Sequence, residues 1–195
     1  MTRPDARDHL LDATAELIAR HGYRGTGVNA VLAASGVPNG SLYHHFPDGK
    51  DQLIAASIAR TSARTRDDLV ATMQRGPEAG VRLIFDYLAK RLRTDEFDAG
   101  CRIAAPLADA GGEIDVVREA AADGFSSWTD AIADGLIEHG WARKAARSTA
   151  VAIICLFEGG ILVGQAQRST RALSAARDAA LALVAAGQPD GEPNS

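Results

Sequence analysis

Hydrophobic residues recur at intervals of three and four along most of this chain, which is the spacing of helices that are buried on one side. Glycine and proline interrupt the pattern and divide it into segments. The regular alternation of apolar and polar residues that half-buried strands show is missing. The sequence therefore predicts an all-α fold, with helices over approximately 5–21, 26–35, 38–46, 49–73, 78–93, 101–108, 114–139, 142–167 and 170–186.

Two short helices between residues 26 and 46 are predicted to meet at a tight glycine turn. In the first, Val28, Val31 and Leu32 form one apolar stripe. Thr26 precedes this stripe, and we expect its hydroxyl to cap the helix by accepting a backbone N–H. Gly36 ends the helix, because glycine adopts the left-handed conformation of such turns at little cost. The pair is typical of a helix-turn-helix motif.

The second short helix carries polar groups that a protein core does not need. Pro38 suits its first turn, where a backbone N–H would have no partner. Leu42 and Phe46 lie four residues apart and are predicted to be buried. The hydrogen-bonding side chains on the rest of the helix are Asn39, Ser41, Tyr43 and His44. Such side chains can contact a phosphate or a base edge, so the helix predicts a DNA-binding surface.

The segment from Gly36 to Phe46, with Lys50 following it, resembles the recognition-helix signature of TetR/AcrR-family repressors. The resemblance covers roughly the first 55 to 60 residues and is more specific than an isolated helix-turn-helix pattern. The family usually has two residues between the aromatic residue and the lysine, whereas this chain has three, residues 47–49. This longer spacer, together with residues 100–105, is similar to the LmrA/YxaF-like subgroup.

The resemblance implies a helix-turn-helix DNA-binding domain of three helices over residues 1–48 and a larger helical domain for ligand binding and dimerisation over 49–187. The prolines and glycines near the end of the chain predict a flexible tail over 188–195. The resemblance also implies that phosphates are held by Thr26, Tyr43 and Lys50. The residues that it places against bases are Asn39, Gly40 and His44, and Ser41 belongs to the same DNA-binding set. Pro38 stands where the family often has a small hydroxyl residue, so we expect one phosphate contact to be missing.

Several of these residues also have a purely structural interpretation. Tyr43 and Phe46 could both pack in a three-helix core, and Lys50 could be an ordinary solvated lysine at the start of a helix. His45 lies beside Phe46 and could face either DNA or protein. We expect no metal site at His44 and His45, because neighbouring side chains on a helix point about 100° apart and no Cys or acidic residue is spaced to complete the site.

The charge of the chain is unusual for a protein that binds nucleic acid, with a net charge of −4 and a pI near 5.7. Residues 1–66 hold eight basic and six acidic residues, a net charge of +2. Arg20 and Arg24 lie at the end of the first helix. One face of that helix carries its acidic residues, Asp5, Asp8, Asp12 and Glu16. We expect few phosphate charges to be neutralised per subunit, and hence a need for two subunits.

The two cysteines, Cys101 and Cys155, are too few and too far apart for a disulfide framework, which favours a reducing compartment. The first residues do not resemble a signal peptide, and no stretch reaches the roughly 18 uncharged apolar residues of a membrane span. We therefore expect a cytoplasmic protein that does not contact membranes and has no cofactor.

Large apolar residues beyond residue 77 could converge in one interior. They are Phe85, Leu88, Ile103, Leu107, Phe125, Trp128, Ile132, Phe157 and Ile161. A packed core and a ligand pocket use the same residue types, and the sequence does not separate the two. The family resemblance implies an effector cavity, and the subgroup resemblance implies planar aromatic ligands. The broken segment over 95–112 could shift when such a ligand binds.

The last two predicted helices have the features of an association surface. Residues 151–157 are apolar on all sides, and the glycines at 159, 160 and 164 permit close approach of another helix. The final helix carries a second stripe, consisting of Leu173, Ala176, Ala180, Leu183 and Val184. Two copies could thus form a four-helix bundle, and a homodimer would bind a pseudo-palindromic operator. The alternative is that these helices are the core of a monomer.

Two other classes of function are possible for such a chain. Cys101 could be a nucleophile or a thiol-based sensor, but no Cys/His or Ser/His/Asp arrangement supports an enzyme. A helical protein-interaction scaffold that has lost DNA binding is favoured only by the weak basic balance. We expect a ligand-responsive transcriptional repressor that binds a double-stranded DNA operator as a homodimer and is released by a small apolar or aromatic effector, and not an enzyme.

Overall fold

The computed structural model describes residues 5–110 and 114–187. Within these two ranges every regular element is a helix, which confirms the predicted all-α class. The helices are α1 (Ala6–Gly25), α2 (Val28–Ser35), α3 (Asn39–His45), α4 (Lys50–Met73), α5 (Pro77–Thr94), α6 (Ala104–Ala110), α7 (Asp115–Glu138), α8 (Arg143–Gln167) and α9 (Arg171–Gly187). The tail over 188–195, expected to be flexible, and residues 111 and 112 of the predicted broken segment lie outside the described residues.

The observed helix bounds depart from the predicted ones mainly at α1 and α6. α1 was predicted to end at His21, yet helical hydrogen bonding resumes after Gly22, whose φ of 65° and ψ of −168° kink the helix, and continues to Gly25. α6 begins at Ala104 rather than at Cys101, because the residues after Cys101 form a turn that the N–H of Ala105 closes by donating to the Cys101 carbonyl at 3.0 Å.

The prediction that the Thr26 hydroxyl caps α2 is wrong. α2 begins at Val28, with Gly27 at the capping position, and no side chain caps it. The hydroxyl of Thr26 instead donates to the carbonyl of Gly22 at 2.8 Å. The kink at Gly22 leaves that carbonyl without its usual helical partner, which gives the hydroxyl an acceptor on the α1 side.

The chain divides into two compact units, Met1–Arg64 with Ala99–Phe125, and Thr65–Asp98 with Ser126–Ser195. Helices α4 and α7 contribute residues to both units. The first unit therefore includes residues on both sides of the expected domain boundary between 48 and 49. The division into a DNA-binding domain and a ligand-binding domain at that boundary stays a prediction.

The core of the first unit is built by α1 to α4. Its buried side chains are Leu10, Leu11, Val31, Val37, Leu42, Phe46 and Leu53. Two hydrogen bonds attach further segments to α1: the Ser57 hydroxyl donates to the Leu11 carbonyl at 3.0 Å, and the Gly100 N–H donates to the Ala19 carbonyl at 2.8 Å. The segment that leads into α6 thus runs beside the helix that supports the helix-turn-helix.

The second unit is formed by α5, α8 and α9, which pack against one another, with parts of α4 and α7. Its buried residues include Phe85, Leu92, Ile153, Phe157 and Leu173. Among the described helices, α8 is the one that is long and apolar enough to span a membrane by length and composition. The charged Glu158 interrupts α8, so the helix contains no stretch of roughly 18 uncharged apolar residues, in agreement with the sequence analysis. The high hydropathy of α8 has another explanation, because the helix packs against α5 and α9 and also carries exposed apolar residues such as Leu162.

Candidate nucleic-acid interface

The turn between α2 and α3 is closed at Gly36, which has φ 67° and ψ 14° and donates its N–H to the Leu32 carbonyl at 3.0 Å. This is the left-handed helix ending that glycine favours. Pro38 has an extended backbone, with φ −60° and ψ 146°, and lies one position before α3 rather than within it. Its carbonyl accepts the N–H of Ser41 at 2.9 Å, so the first turn of α3 forms directly after the proline.

Helix α3 has one buried and one exposed face. Leu42 is fully buried and Phe46 is 2% exposed, both in the core of the first unit, so the structural interpretation of Phe46 is confirmed. Tyr43 is 53% exposed, which is too open for a core side chain. The other exposed residues of α3 are Asn39, Gly40 and His44, and Ser41 is half-buried. Hydrogen-bonding groups are therefore presented to solvent by a helix that the core holds in place.

His45 packs toward the protein. Its ring is half-buried and lies 6.4 Å from the ring of Phe46, measured between centroids, and 5.1 Å from the ring of His44. The guanidinium carbon of Arg7 lies 5.5 Å from the centroid of the Phe46 ring. Of the two histidines, His44 is thus the exposed one.

Thr26, expected to hold a phosphate, is 1% exposed. Its hydroxyl is already bound to the Gly22 carbonyl and does not face solvent. The side chain stabilises the backbone between α1 and α2. A phosphate contact at Thr26 stays a prediction from the family resemblance, and this structure gives it no exposed hydroxyl.

Lys50 is the first residue of α4 and is held by contacts with α1. Its Nζ lies 4.1 Å from the centroid of the Tyr23 ring, and the Tyr23 hydroxyl donates to Oδ1 of Asp51 at 2.5 Å. The side-chain oxygen of Gln52 accepts the N–H of Asp48 at 3.1 Å, which closes the turn before the helix. The half-buried lysine therefore has a defined position, unlike an ordinary solvated lysine.

Tyr23 is a site residue that sequence reasoning missed. Burial, and then the hydrogen bond and charge of Asp51, raise the pKa of Tyr23 to about 12, while the charge of Arg24 acts in the opposite direction. The hydroxyl therefore stays protonated at neutral pH. The sequence offered one sign of Tyr23, an aromatic residue directly after Gly22, which interrupts the helix. That sign could not predict the contact with Lys50, because the contact depends on how α1 and α4 pack.

Three acidic residues on one face of α1, Asp8, Asp12 and Glu16, form ion pairs within the first unit. The ion pairs are Asp8–Arg60 at 2.7 Å, Asp12–Arg60, Asp12–Arg64 at 3.2 Å, and Glu16–Arg102. Burial acts to raise the pKa of Asp12, but the hydrogen bonds and charges of Arg60 and Arg64 outweigh it and hold that pKa below the usual 3.8. These arginines are engaged with carboxylates, which supports the expectation that each subunit neutralises few phosphate charges.

The residues proposed to line an effector pocket fall in both units. Those in the first unit are Ile103, Leu107 and Phe125, and those in the second are Phe85, Leu88, Trp128, Ile132, Phe157 and Ile161. All are buried except Leu88, Leu107 and Phe125, which are half-buried. The rings of Trp128 and Phe157 lie 6.1 Å apart between centroids. Burial of this kind suits a packed core and a ligand cavity alike, so the pocket stays a prediction.

The two thiols differ in exposure, with Cys101 buried and Cys155 exposed on α8. The sulfur of Cys101 accepts the N–H of Ile103 at 3.5 Å. A reactive thiol needs access from solvent, so burial weakens the interpretation of Cys101 as a nucleophile or sensor. Within residues 5–110 and 114–187, no three His, Cys, Asp or Glu residues are grouped as metal ligands.

Two protein-family profiles match the chain. One is described as bacterial regulatory proteins of the tetR family and matches residues 10–57. The other is described as the carboxy-terminal domain of LmrA/YxaF-like transcriptional regulators and matches residues 77–179. The first match contains α2 and α3 with the exposed polar face, and the second extends from α5 into α9.

Individual proteins give the same result. The HTH-type transcriptional regulator LmrA of Bacillus subtilis is 27% identical over 89% of this chain and 93% of its own length. An HTH-type transcriptional regulator of Mycobacterium tuberculosis is 34% identical over 83% of this chain and 85% of its own length. The solved structure of a cysteine mutant of the TetR-family regulator CifR, complexed with a 26-bp double-strand operator DNA, has the same fold. Its TM-score is 0.75 and its sequence identity 20%, with coverage of 92% of this chain and 98% of the CifR chain.

Proposed function

The chain belongs to the TetR family of bacterial transcriptional regulators, with a carboxy-terminal domain of the LmrA/YxaF-like type, and on this premise we propose that it is a ligand-responsive cytoplasmic repressor that binds a pseudo-palindromic operator as a homodimer. Membership of this family makes the protein a DNA-binding regulator and not an enzyme. The finer proposal concerns which residues contact DNA, how two copies associate and what releases them.

The single observation that carries the proposal is the exposed polar face of α3 above a buried Leu42 and Phe46. The residues that face bases are Asn39, Gly40 and His44, and those that hold phosphates are Tyr43 and Lys50, with Ser41 at the edge of the same face. This division is the one that the family resemblance implies. The chemistry of the groups is compatible with it, since a lysine and a tyrosine hydroxyl suit phosphate oxygens, an amide can bind a base edge, and a glycine lets the backbone approach the duplex. We assign Thr26 to fixing the start of α2, because its hydroxyl is buried.

We assign homodimerisation to the outer faces of α8 and α9. Val151, Leu162 and Val163 on α8 are 47%, 69% and 42% exposed, and Leu183 on α9 is 41% exposed. These two helices pack against each other, so their apolar residues can form one patch. Self-association through that patch removes it from water, and two-fold symmetry then presents two copies of α3 to the two halves of an operator.

The effector is a small apolar or aromatic molecule that binds among the buried aromatic residues of the carboxy-terminal domain. The LmrA/YxaF-like type of this domain and the Trp128–Phe157 pair support this part of the proposal. The effector favours a dimer in which the spacing of the two α3 helices no longer matches the DNA groove. Operator affinity then falls by the difference in effector affinity between the two states, ordinarily about 1 to 3 kcal/mol.

The experiment that tests this function is selection of operator DNA from a random double-stranded library by the purified full-length protein at low salt. The enriched site is then measured at two higher salt concentrations. The matched control is the variant Asn39→Ala/His44→Ala, which changes only exposed side chains of α3 and should keep the fold.

Recovery of a two-fold symmetric site, with affinity that falls as salt rises, supports the repressor. The control variant should not enrich the same site. If a well-folded dimer enriches no sequence at all, the proposal is wrong, and the protein is better described as a helical scaffold that has lost DNA binding.

A further inference from the structure

The ammonium group of Lys50 is held by Tyr23 where the end of α1 meets the start of α4. The Nζ of Lys50 lies 4.1 Å from the Tyr23 ring centroid, while the hydroxyl of the same tyrosine donates to the carboxylate of Asp51 at 2.5 Å. We propose that Tyr23 is a positioning residue for DNA binding. It orients the ammonium group of Lys50 for contact with a phosphate, and it keeps the Asp51 carboxylate from pairing with Lys50. This inference rests on the proposed function, in which Lys50 contacts a phosphate.

The ring of Tyr23 restricts where the charge of Lys50 can go. A lysine carries its ammonium on a flexible four-carbon stem and loses much rotamer freedom when the group is fixed. The face of an aromatic ring attracts a cation but does not use its N–H donors, so those donors stay available for phosphate oxygens. Because the ammonium is localised before DNA arrives, less freedom is lost on binding.

The hydroxyl of Tyr23 engages the carboxylate that competes with phosphate. Asp51 follows Lys50 directly in the sequence and has the same sign of charge as the DNA backbone. Its Oδ1 instead accepts a short hydrogen bond from Tyr23, and hydrogen bonds to an ionised acceptor are stronger than those between neutral groups. The raised pKa of Tyr23, about 12, keeps this donor protonated.

The position of Tyr23 explains how one side chain can serve both contacts. The residue follows Gly22, where the backbone of α1 leaves helical geometry at φ 65°. Tyr23, Lys50 and Asp51 are all half-buried, so each has one side packed and one side open. Tyr23 itself need not touch DNA. Its effect on affinity is expected to pass entirely through Lys50, both by orienting the ammonium and by keeping Asp51 from pairing with Lys50.

The test is a double-variant cycle on the full chain, with the operator obtained by selection. Tyr23→Leu removes the ring and the hydroxyl, Tyr23→Phe removes the hydroxyl alone, and Lys50→Met removes the ammonium. The Kd of each variant, and of Tyr23→Leu/Lys50→Met, is measured at several salt concentrations, with thermal unfolding as a check on the fold. Tyr87→Leu is the matched control, because Tyr87 is 62% exposed and lies in the second unit.

We expect Lys50→Met to reduce the slope of log affinity against log salt by about 0.9 for each subunit. Tyr23→Leu should weaken binding by about two- to fivefold per subunit when Lys50 is present, and by nothing further in the Lys50→Met background. Tyr23→Phe should retain most of the affinity that Tyr23→Leu loses, and Tyr87→Leu should bind like the unsubstituted chain.

Equal losses from Tyr23→Leu with and without Lys50 would overturn the inference, since they would show a structural role only. If Tyr23→Leu does not fold, Tyr23→Phe decides the question. The smaller loss of operator affinity in Tyr23→Phe should disappear when Asp51→Asn is also present. If that loss of affinity persists in the Asp51→Asn background, the inference is overturned. An unchanged salt slope for Lys50→Met would refute both the inference and the phosphate contact of Lys50. Operator selection by the unsubstituted chain would then still support the repressor.

Discussion

The carboxylate of Asp109 accepts a hydrogen bond from the backbone N–H of Arg24, and the backbone carbonyl of Asp109 accepts another from Nε of Arg24 at 3.2 Å. Arg24 lies two residues before Thr26, where the chain turns from α1 into α2. The start of the helix-turn-helix is therefore fixed by a residue of α6, in addition to the core that α1 to α4 share. A change in the position of α6 would act directly on this turn.

Replacing Asp109 with alanine should weaken both folding and DNA binding. The N–H of Arg24 would lose its acceptor, which is expected to lower the free energy of unfolding by about 1 kcal/mol. Operator affinity should fall as well, because the turn into α2 is no longer fixed. Asp109→Asn keeps a side-chain oxygen as acceptor and should lose less. Urea unfolding and fluorescence anisotropy with operator DNA measure the two effects, and unchanged values for Asp109→Ala would show that the contact is dispensable.

Substitution with alanine should affect stability at Gly36 and DNA binding at Gly40. Gly36 has φ 67°, a conformation that costs other residues about 1 to 2 kcal/mol, so Gly36→Ala should lower the unfolding temperature. At Gly40 an added Cβ meets nothing within 4 Å. Gly40→Ala should therefore fold normally but bind operator less well, because the backbone of α3 can no longer approach the duplex as closely. Full operator affinity of Gly40→Ala would remove Gly40 from the contact set.

The side chains of Asn39 and Tyr43 should affect DNA binding in different ways. Both are exposed, so alanine at either position should leave the fold intact. Tyr43→Ala removes a phosphate contact and should weaken binding to all sequences alike. Asn39→Ala removes a base contact and should relax preference at one operator position by about 1 to 3 kcal/mol. Competition binding against operators with single base changes separates the two, and equal loss of specificity from both variants would contradict the assigned roles.

The parts of the fold that the sequence predicted are those that local chemistry determines. α4 was predicted over 49–73 and is observed at Lys50–Met73. Gly49 before it and Gly76 after it adopt positive φ values of 74° and 99°, which glycine allows in turns, and Pro77 cannot continue the helix. The burial of Leu42 and Phe46, on the face of α3 opposite its polar residues, was also predicted from local information. The spacing of four residues alone places both side chains on one side of the helix.

The contacts that the sequence did not predict depend on residues far apart in the chain. The Tyr23–Asp51 hydrogen bond joins residues 28 positions apart, and its formation depends on how α1 packs beside α4. The Thr26 hydroxyl was expected to cap α2, but the kink at Gly22 offers it a carbonyl on the other side. Periodicity carries no information about such choices between alternative partners.

The stability that Tyr23 contributes should disappear at alkaline pH. Its pKa in the folded protein, about 12, lies above the ordinary 10.0, so the folded state favours the protonated hydroxyl. The contribution is therefore fully present below pH 10 and is lost as the pH rises toward about 12. The difference in unfolding free energy between the unsubstituted chain and Tyr23→Phe should shrink over this interval. Urea unfolding at several pH values measures it, with the exposed Tyr43→Phe as control, and a constant difference would contradict the raised pKa that burial and the contact with Asp51 give Tyr23.

Leu162 gives the most direct test of the proposed dimer. It is the most exposed of the large apolar residues on α8, at 69%, so Leu162→Glu removes no core contact and should leave the subunit folded. A carboxylate within an apolar two-fold interface must be desolvated twice, once from each copy, and the dimer should dissociate. Leu83→Glu on α5 is the matched control, since Leu83 is 43% exposed on a different helix.

Analytical ultracentrifugation should therefore find a dimer for the unsubstituted chain and for Leu83→Glu, and a monomer for Leu162→Glu. The monomer should also bind operator more weakly and with about half the salt slope, because one copy of α3 and one Lys50 contact DNA instead of two. A dimeric Leu162→Glu would place the interface elsewhere on the molecule. A monomeric unsubstituted chain would instead make α8 and α9 the core of a single subunit, which is the alternative that their sequences left open.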